Sequence, residues 1–72
     1  MQPSVVHQYL KYQPTGQLWA VEVVEGSLRG ACGPLDAREV TPRVLPLLMF
    51  DFRDVRWIRD HPHDFVPEAL SA

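Results

Sequence analysis

The sequence predicts a small α+β domain with the element order β-β-β-α-β. Near the N-terminus, residues 5–12 and 18–24 alternate side chains in the way that is typical of β-strands. Residues 42–52 are apolar on nearly every side, which is typical of a buried helix. A length of 72 residues allows one domain only. We therefore expect residues 1–72 to form a single domain, in which a mainly antiparallel sheet of three to four strands packs against one buried proline-containing helix.

The first two strands are predicted to form a β-hairpin over residues 5–24. The segment between them, QPTGQ at 13–17, contains a proline that fixes φ at the start of a turn and a glycine that adopts positive φ readily. In the second strand, Trp19 and Val21 share one face because alternate residues of a strand point the same way. We expect both side chains to be well buried and residues 13–17 to form the connecting turn.

The middle of the chain is predicted to contain a third strand and the helix. Residues 27–32 follow a glycine-containing turn signal and form a shorter strand candidate. Thr41 and Pro42 are a favourable N-cap and first helical residue, so a helix is expected between about 42 and 52. Pro46 would lie one turn later, where it removes a backbone hydrogen bond, so the helix is expected to be kinked.

The last strand is predicted over residues 55–59, where arginine and apolar side chains alternate. From about residue 60 the tail contains Pro62 and Pro67, so we expect it to be irregular or extended. In this interpretation the tail contributes no strand to the sheet.

Composition and charge exclude several classes of protein. Cys32 is the one cysteine, so an intrachain disulfide and a zinc cluster of several thiolates are both excluded. A net charge of −2 does not favour nucleic-acid binding. The chain shows no signal-peptide pattern and no apolar run approaching the roughly 18 residues that span a bilayer. We expect a soluble, cytoplasmic protein with neither nucleic acid nor membrane as its partner.

The stretch WIRDHPHDF, residues 57–65, is the strongest candidate for a metal or catalytic site because it contains His61 and His63. Two histidines in an H-x-H pattern can share one face of an extended backbone and bind one metal. A complete site needs a third or fourth ligand, which would have to be His7 or Cys32. Alternatively, the stretch is an ordinary turn: the flanking aspartates accept hydrogen bonds from nearby backbone N–H groups, and the imidazoles are solvated. We therefore predict no metal and no cofactor.

Cys32 is the candidate nucleophile for a thiol enzyme. It lies in GACGP, where neighbouring glycines would let a substrate approach the backbone, and a histidine within hydrogen-bond reach would activate it. No known nucleophile signature surrounds it, and a buried cysteine next to a turn is a common structural residue. We predict that the protein is not an enzyme and has no catalytic residues.

The apolar surface exceeds what one helix can cover. Residues 18–24 are apolar on both faces of the predicted strand, and one helix covers only one face of a sheet. Either the proline-containing tail covers the second face, or this surface binds a partner, which is the interpretation that we favour. Arginine and tryptophan are also typical of interface hot spots. The candidate interface residues are Trp19, Leu48, Phe50, Phe52, Arg56 and Trp57.

These features favour a small non-catalytic protein–protein interaction module, either regulatory or a subunit of a larger assembly. The partner is another protein or a second copy of the chain, and we expect a homodimer. The alternative is a small metal-binding protein that uses His61 and His63, and the third hypothesis is a thiol enzyme that uses Cys32.

Overall fold

A computed structural model describes residues 4–38 and 40–69, which form a four-stranded antiparallel sheet. Within these residues the chain also forms one α-helix. The predicted α+β class and the order β-β-β-α-β are confirmed. The elements are β1 (Val5–Tyr12), β2 (Gln17–Val24), β3 (Ser27–Leu35), α1 (Val55–Asp60) and β4 (Phe65–Glu68), and the strand order in the sheet is β3-β2-β1-β4.

The predicted N-terminal hairpin is confirmed. Strands β1 and β2 pair in one unbroken register, from Val5 opposite Val24 to Tyr12 opposite Gln17. The turn between them contains Gly16, which has a φ of 76° and donates its N–H to the carbonyl of Tyr12 at 2.8 Å. Trp19 and Val21 are 9% and 4% exposed, as their shared face predicts.

The third strand is longer than predicted, because β3 continues past residue 32 to Leu35. Its pairing with β2 has two register shifts, and one of them lies opposite Trp19. There the indole ring packs on the backbone of Gly33, and a Cβ added to this glycine would lie 2.4 Å from Trp19 Cδ2. Glycine is required at this position because no side chain fits between the strand and the ring.

The prediction of a helix over residues 42–52 was wrong in position. This segment forms a short 3-10 turn at Leu45–Leu47, and a second 3-10 turn follows at Phe52–Asp54; Leu48 and Asp51 between them have extended backbone geometry. Pro46 lies at the start of the first turn, where its missing N–H is tolerated, whereas in a helix that began at residue 42 it would remove an interior backbone hydrogen bond. The α-helix that the domain does have, α1, contains no proline.

The prediction of a last strand over residues 55–59 was also wrong, because these residues form α1. Val55 and Ile58 are three residues apart, so they share one helical face, and both are buried against the sheet. The fourth strand is β4, which lies in the tail that was expected to contribute none. Pro67 is accommodated because β4 is an edge strand, where an N–H that faces solvent can be missing.

Both faces of the sheet are covered, each by a different segment. Helix α1 packs on the face that carries Trp19, Val21 and Ala31. Residues 41–50 lie over the other face, where the Tyr9 hydroxyl donates to the Thr41 carbonyl at 2.7 Å. One of the two expectations was that the tail covers the second face. The tail does not do so; the segment that was predicted to be helical covers this face instead.

Candidate interaction surface and side-chain sites

The most exposed apolar part of the described chain is residues 47–52, which we call the apolar loop. Leu47, Met49 and Phe52 are 78%, 89% and 77% exposed. Leu48 and Phe50 lie between them and are half-buried. Leu48 has extended backbone geometry and lies between the exposed Leu47 and Met49, whereas Phe52 begins the second 3-10 turn. The loop therefore buries one set of side chains against the domain and presents the other set to solvent.

The apolar loop is held in place by its buried side and by its backbone. The Phe50 ring stacks on the His7 imidazole, with 5.0 Å between the ring centroids. Phe50 also lies over Gly30, where an added Cβ would be 2.8 Å from the Phe50 Cβ. Asp51 and Ala31 exchange two backbone hydrogen bonds of 2.9 and 3.0 Å at the edge of β3. The exposed side chains consequently belong to an anchored segment.

The end of the apolar loop is organised by an ion pair between Asp51 and Arg53. The Asp51 carboxylate accepts from the Arg53 backbone N–H at 2.8 Å and from its guanidinium at 2.9 Å. These hydrogen bonds lower the pKa of Asp51 below its ordinary value. The carboxylate thereby stays ionised and keeps the turn at Phe52–Asp54 in place.

A second exposed feature lies on α1. Trp57 is 42% exposed, and its ring lies against the His61 imidazole with 4.0 Å between centroids. The His61 Nδ1 atom is 2.8 Å from the Trp57 carbonyl oxygen, so Nδ1 carries the proton that it donates. Arg56 precedes Trp57 and is exposed. These contacts orient the indole ring, which presents part of its surface to solvent.

The six interface residues predicted from the sequence lie in different environments. Phe52, Arg56 and Trp57 are exposed, and Leu48 and Phe50 are the half-buried members of the apolar loop. Trp19 lies in the core, where it packs edge-on against Phe65 and is not presented to a partner. Leu47 and Met49 are exposed as well, although they were not among the predicted interface residues. Only the tertiary packing shows which residues of this apolar stretch point outward.

The candidate metal ligands do not converge. His61 lies against α1, and His63 is exposed in the turn before β4. His7 lies on the opposite face of the sheet, beneath Phe50 and 3.1 Å from a carboxylate oxygen of Glu22. Among residues 4–38 and 40–69, no group of three or more metal-binding side chains comes together. That the protein binds no metal stays a prediction.

Cys32 is half-buried on the sheet face that also carries Tyr9. Burial raises the pKa of the Cys32 thiol, and the negative charge of Asp54 raises it further. A raised pKa keeps the thiol protonated and lowers its nucleophilicity at neutral pH. Within the described residues the Cys32 sulfur has no hydrogen bond to a histidine, so the arrangement shows no activated pair.

The structure also contains a cleft that the sequence analysis did not predict. It has a volume of about 260 Å³ and lies where residues 42–45 approach β1 and β4. Its lining includes His7, Tyr9 and Glu68. His7 and Tyr9 could be assigned to one face from the alternation of β1, but Glu68 joins them only because β4 pairs with β1. The cleft could not be predicted while the tail was expected to be irregular, because Glu68 was then not placed in the sheet.

No helix in the described part of the chain is both long enough and apolar enough to cross a membrane. Comparisons of the chain with protein-family models, with curated proteins and with solved structures found no match.

Proposed function

We propose that the protein is a small non-catalytic protein–protein interaction module, regulatory or part of a larger assembly, and that the apolar loop is its contact surface. The observation that carries the proposal is the exposure of Leu47, Met49 and Phe52 within six residues of an anchored segment. Large apolar side chains grouped in this way on a small domain are typical of an interaction site.

The energetics of burial support the proposal. Covering an exposed leucine, methionine or phenylalanine side chain contributes roughly 1.5–3 kcal/mol. The Asp51–Ala31 hydrogen bonds and the Phe50 packing already fix the loop backbone, so a partner need not order it on binding. A prearranged apolar loop can therefore contribute a large part of its burial energy to affinity.

Self-association is the form of this proposal to test first, because a second copy would supply an equally apolar surface. Trp57 is the candidate anchor outside the loop, since partly exposed tryptophans are frequent hot spots. Replacing Trp57 by alanine should weaken association by more than about 1 kcal/mol if the ring is buried in the complex.

The test compares the wild type with the double variant Met49→Ser/Phe52→Ser. Both side chains are exposed, so the variant should keep its far-ultraviolet circular dichroism spectrum and lose binding. The matched control is Val6→Thr, which removes apolar surface at a 54% exposed position outside the loop. Sedimentation equilibrium up to roughly hundred-micromolar concentrations measures self-association, over the range where weak dimers form. Affinity capture from native cells measures binding to other proteins.

We expect the double variant to lose dimerisation, or to lose a captured protein that the wild type and Val6→Thr both retain. The proposal is wrong if the wild type is monomeric and all three proteins capture the same set. It is also wrong if Val6→Thr and the double variant weaken binding equally, since the loss would then be independent of the loop.

A further inference from the structure

The cleft of about 260 Å³ lies beside the apolar loop. Strands β1 and β4 contribute His7, Tyr9 and Glu68, which lie on one sheet face because Tyr9 and Glu68 are directly paired. Pro42 and Leu45 form the apolar side of the cleft. Leu45 is two residues before Leu47, and His7 of the cleft stacks on Phe50 of the loop, so the cleft and the apolar loop are adjacent.

The volume of the cleft indicates what kind of group it can hold. Pockets for cofactors and drug-sized ligands occupy roughly 300–1,000 Å³. At about 260 Å³ and open to solvent, this cleft lies below that range and has room for a single long side chain. Interface anchors fill pockets of this kind.

The hydrogen-bond donors around the cleft are already used within the domain. The Tyr9 hydroxyl donates to the Thr41 carbonyl at 2.7 Å. The Gln8 side-chain amide, which also lines the cleft, donates to the carbonyls of Tyr9 and Glu68 at 2.9 and 3.3 Å. His7 Nε2 is 3.1 Å from a Glu22 carboxylate oxygen, which can only accept, so Nε2 donates there.

The polar groups of the cleft that are still free to bind a partner are therefore hydrogen-bond acceptors. Glu68 is half-buried, and its carboxylate forms no ion pair within the described part of the chain. Glu68 is the one acidic side chain among the described residues that line the cleft. A carboxylate beside apolar walls matches a lysine or arginine, whose methylene groups pack on apolar surface while the charged end reaches the carboxylate.

We propose that this cleft is the anchor site for a lysine or arginine side chain of the protein partner. The inference rests on the proposed interaction function and names the chemistry of the partner: a basic residue next to an apolar patch. The stem of the basic side chain packs against Pro42 and Leu45, and its cationic group pairs with Glu68.

The test is a nuclear magnetic resonance titration of the full chain, which needs no partner protein. The probes are N-acetyl-lysine methylamide and N-acetyl-arginine methylamide, and the uncharged control is N-acetyl-norleucine methylamide. We expect saturable shifts of the Tyr9, Leu45 and Glu68 amide signals with millimolar affinity, the range for one side chain. The norleucine compound should give no saturable shift.

The variants are Glu68→Gln and, as the matched control, Glu25→Gln in the exposed turn between β2 and β3. We expect Glu68→Gln to weaken binding by about fivefold, the upper range for a partly exposed ion pair, and Glu25→Gln to leave it unchanged. Equal affinity for the charged and uncharged probes would overturn the proposal. So would unchanged binding to Glu68→Gln, or no saturable shift with either basic probe. Sedimentation and capture test the apolar loop separately, so the two proposals can fail independently.

Discussion

Replacing Gly33 by alanine should be among the most destabilising single-methyl changes in this protein. The added Cβ would lie 2.4 Å from Trp19 Cδ2 and 2.5 Å from Trp19 Cε3. Ordinary van der Waals contact begins near 3.4 Å, so the rigid indole ring would have to move by about an ångström. The ring packs against Phe65 in the core, which resists that movement.

The expected cost can be compared with the stability of the domain. Inserting a methyl group into a well-packed core costs about 1–3 kcal/mol. A domain of this size is stable by roughly 4–11 kcal/mol in total. With a urea m-value of about 1 kcal/mol/M, the unfolding midpoint should fall by about 1–3 M. Urea unfolding followed by far-ultraviolet circular dichroism measures this shift.

Gly16→Ala is the matched control. Gly16 has a φ of 76° and no atom within 4 Å of an added Cβ, so its substitution costs backbone strain alone, about 1 kcal/mol. Gly33 does not have positive φ, so its substitution costs steric overlap alone. We expect Gly33→Ala also to alter the near-ultraviolet spectrum of tryptophan. A midpoint for Gly33→Ala above that of Gly16→Ala would show that the indole ring does not constrain this position.

Three further predictions concern titration, reactivity and metal content. Tyr9→Phe should cost about 1 kcal/mol through the lost hydrogen bond to the Thr41 carbonyl. Burial raises the pKa of Tyr9, so the unfolded state releases the hydroxyl proton at lower pH than the folded state does. The stability of the wild type should therefore fall as pH rises from about 10 towards the folded-state pKa. Thermal unfolding measures this fall, which Tyr9→Phe should not show. Cys32 should react with iodoacetamide more slowly than a free cysteine at about pH 8. Cys32→Ser should cost at most about 1–2 kcal/mol and leave any activity intact; a loss of function with unchanged folding would favour the thiol-enzyme hypothesis. Untagged protein should contain no stoichiometric zinc or nickel by elemental analysis, and one equivalent of metal that disappears in His61→Ala/His63→Ala would contradict this.

The sequence by itself determined the N-terminal hairpin and the fold class. Strands β1 and β2 are neighbours along the chain, and the turn between them contains a glycine suited to positive φ. Their pairing therefore depends on local alternation and turn geometry, both of which can be read from consecutive residues. The burial of Trp19 and Val21 follows from the same alternation.

The exchange of helix and strand in the C-terminal half shows where local patterns fail. In VRWIR, Val55 and Trp57 have the spacing of a strand face, and Val55 and Ile58 have the spacing of a helix face. Five residues cannot distinguish the two periods, so packing against the sheet decides in favour of the helix. Pro46 was the local signal against a regular helix over 42–52, and the apolar composition outweighed it in the prediction.

Only the tertiary structure decided which surfaces are available. Leu47 and Met49 are exposed, whereas Leu48 is half-buried and Phe50 packs over Gly30 and His7. The composition of the stretch does not show which of these side chains is covered. Glu68 reaches Tyr9 across almost the whole length of the chain because β4 takes the free edge of β1. Long-range pairing of this kind depends on which edge and which face the rest of the fold leaves uncovered, and no window of consecutive residues carries that information.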